Sequence, residues 1–145
     1  MRTVGHLATF ASTVLALGLW AATPATAEVI NYKAELSPAS EVPPTESKGS
    51  GALTATFDTA TKTLSWNVTY SGLTGPAIMA HFHGPAAVGA VANPVVPMTG
   101  NLESPMKGQA VLTDAQVADL IAGKWYFNVH TAANKAGEIR GQVVK

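Results

Sequence analysis

"ALTATFDTATKTLSWNVTY", residues 52–70, decides the fold. Ala52–Phe57 and Leu64–Tyr70 each alternate apolar with polar side chains, Leu64, Trp66 and Val68 sharing one face, and "DTATKT" between them reads as a turn. A period of two belongs to a half-buried strand. Two such runs this close together predict an antiparallel hairpin with one face in a core and the other in water.

Working outward, Val29–Leu36, "VINYKAEL", reads as a first strand, and Ser37–Gly51, "SPASEVPPTESKGSG", as an exposed loop, because Pro, Ser and Gly crowd it and large apolar residues are scarce. After the turn "SGLTGP", Ala77–His83 supplies another strand, with shorter ones over Val95–Met98 and Gln109–Leu112. "TDAQVADLIAG" is the one helix: Thr113 can cap it with Gln116 as reciprocal partner, and Gly123 suits a left-handed stop. Trp125–Thr131 and Glu138–Val144 return to strand pattern. Seven or eight short strands with one short helix predict an all-β fold, an antiparallel Greek-key β-sandwich or flattened barrel. Pairing the first strand with the last would close such a barrel and remove its exposed edges.

The chain of 145 residues has no net formal charge, only 12% charged residues and no cysteine. That balance excludes a polyanion-binding surface, and nucleic acid is not an expected partner. The N-terminal "MRTVGHLATFASTVLALGLWAATPATA", residues 1–27, has one early charge, an apolar run and a final Ala-Thr-Ala, the layout of a secretory signal cleaved after Ala27. An uncut membrane anchor is the alternative. Cleavage leaves a domain over 28–145, periplasmic or secreted and no longer attached to a membrane, with eight basic and nine acidic residues. Without cysteine, packing and hydrogen bonds alone must hold it in an oxidising compartment.

The mature chain keeps three histidines, and they fall in two strands. In "AHFHGPA", Ala80–Ala86, alternation sends His81 and His83 to one side and Phe82 to the other. Imidazole suits copper, zinc, nickel and iron, and a third ring would complete a minimal site. His130 in "WYFNVHT" can supply it if its strand lies beside the first; Asn128 and Tyr126 share its face, while Trp125, Phe127 and Val129 point the other way. The plainer reading makes all three histidines half-buried residues that fasten loop carbonyls. Glu138 and Arg140, in "GEIRG", stand on one strand face as supporting residues, as an ion pair or as anchors for loop backbone. Met79, Met98 and Met106 read as core or edge filling rather than as soft copper ligands. No phosphate loop, nucleophilic serine context or cysteine nucleophile is present.

"SGLTGPAIMAHFHGPAAVGA" (Ser71–Ala90), "PVVPMTG" (Pro94–Gly100) and "LIAGKWYFNVHTAANKAGEIRGQV" (Leu120–Val143) together resemble the CHRD domain, the module named after chordin and found in exported bacterial proteins. The resemblance spans Val29–Val144 and implies a β-sandwich or barrel, but no common biochemical role for bacterial members. A more distant likeness is to copper,zinc superoxide dismutase, whose copper sits on an H-x-H pair and a later histidine. His81, His83 and His130 match those positions, whereas "GPAAVGAVANPVVPMTG" has no histidine or aspartate for a zinc site. The expectation is therefore a non-catalytic exported binding module with a three-histidine copper site, zinc being the poorer fit, and with a protein or surface partner. A copper-dependent, dismutase-like redox enzyme and a metal-free structural or adhesion module are the alternatives.

Overall fold

The computed structural model describes residues 26–145, so the expected signal peptide lies outside the described residues except for Thr26 and Ala27. Eight strands form two four-stranded antiparallel sheets packed face to face. The first sheet holds β1 (Val29–Leu36), β2 (Ser50–Asp58), β3 (Thr63–Ser71) and β6 (Met106–Val111) in the order β1-β2-β3-β6. The second holds β4 (Ala77–His83), β5 (Pro94–Pro97), β7 (Tyr126–Thr131) and β8 (Ile139–Gln142) in the order β5-β4-β7-β8. The chain crosses after β3, lays down β4 and β5, and returns to place β6 beside β3, which is a Greek-key path.

The hairpin of residues 52–70 forms as its alternation requires. Leu53 pairs with Val68, Ala55 with Trp66 and Phe57 with Leu64, and all six side chains are buried. Full burial of a large apolar side chain contributes about 1.5–3 kcal/mol, so this register has little freedom to slip. Phe82, Trp125 and Phe127 meet this face from the other sheet, with the Phe82 ring edge-on to Trp66 at 5.1 Å and to Phe127 at 4.9 Å. Truncating Phe82 to Ala would remove the ring on which both sheets pack.

The sandwich is not a closed barrel. The edges of β1 and β8 are joined by two isolated bridges, Lys33 to Val144 and Ser37 to Arg140, each with one partner just beyond its strand, and by no continuous ladder. On the opposite side β5 has Pro94 and Pro97 at its two ends, and proline offers no N–H to extend pairing toward β6.

Two other expectations need correction. β6 starts at Met106 rather than Gln109 because Gly108 lies under the Trp66 indole, where a Cβ would come within 2.7 Å of the ring. The stretch Ser37–Gly51 is not simply exposed. A 3-10 turn at Pro38–Ser40 leads into a buried Glu41, and Thr45 Oγ1 and Ser47 Oγ donate to Glu138 O and Oε1 at 2.9 and 2.6 Å. Between β6 and β7 the helix α1 (Asp114–Ile121) carries the full capping box: Thr113 Oγ1 accepts from Gln116 N and Gln116 Oε1 accepts from Thr113 N. Gly123 follows at φ 68° and ends it.

Candidate metal centre

β4 and β7 are adjacent and antiparallel, with Met79 opposite His130, His81 opposite Asn128 and His83 opposite Tyr126. Residues directly opposed on an antiparallel pair share a face. The inward face holds Ala80, Phe82, Phe127 and Val129, all buried in the core, so the outward face collects the three histidines. One ring nitrogen from each of His81, His83 and His130 lies within 4.8 Å of the other two. Metal–imidazole bonds of about 2.0 Å would draw such nitrogens closer by about one ångström, a matter of ring rotation. The group can hold a metal ion.

Second partners fix which nitrogens face the centre. His83 Nδ1 donates to the Ala92 carbonyl at 2.9 Å and His130 Nδ1 to the Lys135 carbonyl at 2.9 Å. Carbonyls only accept, so both Nδ1 atoms carry the hydrogen and both Nε2 atoms keep a bare lone pair. His83 Nε2 is buried and has no partner at all. His130 Nε2 faces His81 Nδ1 at 3.2 Å and the Asn128 amide oxygen at 2.9 Å. A bare imidazole nitrogen against an amide oxygen is two acceptors in contact, which either a shared cation or an amide turned end for end relieves.

Protonation is held off the cluster. Burial, reinforced by the neighbouring His130 and His83, pushes His81 down to about 4. Burial also lowers His83 and His130, against the pull of the carbonyls of Ala92 and Lys135. All three rings are thus neutral near pH 7, the form that binds a metal.

Tyr126 stacks on His83 with ring centroids 4.6 Å apart and an interplanar angle of 8°, and its hydroxyl donates to the Ala92 carbonyl at 3.2 Å. Above it the Arg140 guanidinium carbon sits 3.4 Å from the Tyr126 ring centroid, and Arg140 Nη2 donates to Ala90 O at 2.6 Å. Arg140 and Tyr126 thereby fasten the loop whose Ala92 carbonyl orients His83. Arg140 and Glu138 do not form an ion pair. β8 begins only at Ile139, and Glu138 turns its carboxylate to Ser47 Oγ, Thr74 N, Thr74 Oγ1, Thr131 Oγ1 and Asn134 Nδ2, at 2.5–3.1 Å. Burial would raise this acid, but these donors, Ser47, Thr131 and Thr74 foremost, win and lower it to about 2. It clasps three loops and takes no part in the histidine cluster. Among the methionines, Met106 is fully buried and Met98 packs against the core, whereas Met79 is 43% exposed and does not fill the core.

Glu41 is the residue that sequence reasoning missed. It is 5% exposed, its Oε1 has no partner, and it packs over Gly137, where a Cβ would collide with both Glu41 and Asn128. Burial raises its carboxyl to about 7, against the lowering effects of Arg140, the Val42 N–H and the Asn128 amide. Asn128 therefore has His130 on one side and a proton-holding acid on the other. In the sequence Glu41 is one of nine acidic residues and sits in a Pro- and Ser-rich run, with no pattern to mark it.

The CHRD domain family model matches residues 32–143, which takes in every strand that carries the site. No curated protein and no solved structure matches the chain. With a family match over most of its length and the sandwich that the motifs implied, the chain belongs to the CHRD domain family.

Proposed function

We propose that this CHRD domain is an exported, non-catalytic binding module that holds one copper ion through His81, His83 and His130. The observation that carries the reading is the buried, partnerless Nε2 of His83, in a cluster whose other rings also present unprotonated nitrogens. A buried acceptor left without a donor costs about 1–3 kcal/mol, and a bound cation would satisfy it. Copper fits three imidazoles better than magnesium or calcium, which prefer oxygen, and copper heads the affinity order of the divalent first-row metals. Export rests on the signal-like segment 1–27. Among the described residues no helix is long and apolar enough to cross a membrane.

Calorimetric titration of the mature protein tests the reading. Copper should bind near one equivalent, and His130→Ala should weaken it strongly. No uptake of copper or zinc at neutral pH would end it. The redox alternative is favoured by one observation, the partial exposure of His81, which leaves the centre approachable. A superoxide assay on copper-loaded protein decides that point, since a non-catalytic module would be no faster than buffer.

A further inference from the structure

Met79 stands on the outward face that bears the histidines, with Tyr126 and Asn128. It stands two residues before His81 and directly across the β4–β7 ladder from His130. The ladder is irregular between Ala77 and Met79, so that Ala77 turns back to pack against the core and Ile78 is left exposed. Bulges re-aim side chains and are over-represented beside functional sites, and here the pairing resumes at Ala77 and Thr131. Met79 is thus the last β4 residue on the histidine face, and at 43% exposure it is not spent on packing. Opposed residues in an antiparallel pair hold their Cβ atoms about 4.5–5.5 Å apart, and an unbranched methionine has three rotatable bonds with which to reach inward.

We propose that Met79 supplies a thioether as fourth ligand to the three-histidine centre and thereby selects the cuprous ion. This rests on the copper reading above. A thioether is a soft, neutral donor: it favours Cu(I) and adds little for Zn(II) or Cu(II), which fill a fourth position as readily with water. The ion is bound without any change of oxidation state.

The test uses the mature chain and its Met79→Leu variant, an exposed substitution that should leave the circular dichroism spectrum unchanged. Cu(I) affinity is measured anaerobically against a chromophoric cuprous chelator, Zn(II) affinity in parallel, and X-ray absorption is recorded on the Cu(I) form. The variant should lose at least about tenfold in Cu(I) affinity, since even outer partners of a metal site are worth that much, and hold zinc within about twofold. The sulfur scatterer of the wild-type Cu(I) spectrum should vanish with the substitution. A wild-type spectrum with nitrogen neighbours alone, or equal losses for Cu(I) and Zn(II), would overturn the assignment of Met79 while leaving the three-histidine centre standing. A wild-type protein that takes up neither copper ion nor zinc would remove both.

Discussion

Replacing Glu41 with Gln should make the protein more stable at pH 8 and leave it nearly unchanged at pH 4. Burial holds this carboxyl at about 7, whereas the unfolded chain titrates near 4.5. Between those values the native protein binds more protons than the unfolded one, so stability falls as pH rises through that window and levels off above it. At 1.36 kcal/mol for each pH unit of separation, ionising Glu41 in place costs about 3 kcal/mol. Gln keeps the shape and never ionises. The lowered histidines titrate in both proteins and cancel from the difference, which should therefore grow from about zero at pH 4 to about 3 kcal/mol at pH 8. Urea unfolding of the metal-free proteins at four pH values across that range measures it, provided each transition is two-state. A difference that stays flat with pH would refute the reasoning and mean that the Glu41 carboxyl is solvated when charged.

Glu138 should behave in the opposite way. Its pKa is depressed to about 2, so its contribution is complete above the unfolded value near 4.5 and is lost as pH falls toward 2; Glu138→Ala should cost at least about 3 kcal/mol at pH 7, read by denaturant unfolding, and much less at pH 2. Because burial lowers all three histidines, copper affinity should drop between pH 7 and 6 by clearly less than the roughly thirtyfold that three ordinary imidazoles would lose, which the same titration at the two pH values checks. Tyr126→Leu should lower copper affinity by about tenfold or more through loss of the His83 stack, whereas Tyr126→Phe, which keeps the stack, should recover most of it in the same titration.

The hairpin, the helix and the shared face of His81 and His83 could all be read from the chain because each has a period or a cap that is local. Phe82 between two histidines already tells which way those histidines point. Adjacency of β4 and β7 could not be read so, because pairing strands 49 residues apart is a tertiary choice set by how Phe82, Trp125 and Phe127 pack. Nor could the contact between the first and last segments be read, since it comes down to two bridges, Lys33 to Val144 and Ser37 to Arg140, rather than a periodic ladder. Glu41 and Glu138 were illegible in role because a carboxylate's behaviour depends on donors from distant segments. Glu138 finds five donors and is strongly acidic; Glu41 is buried with one oxygen unpartnered, and its carboxyl is raised to about 7.

The clasp around Glu138 has a consequence for when this chain can fold. Ser47 and Thr45 close onto a residue more than ninety positions later, and β1 is bridged by Val144 at the far end. Contacts of such long sequence separation form slowly, because the intervening loop must be closed before they give any return. β1, β2 and β3 can pair with one another as soon as they are made, but the loop of Thr45 and Ser47 has no seat until Glu138 arrives. The domain can thus lay down its first three strands early and lock the loop of Thr45 and Ser47 last.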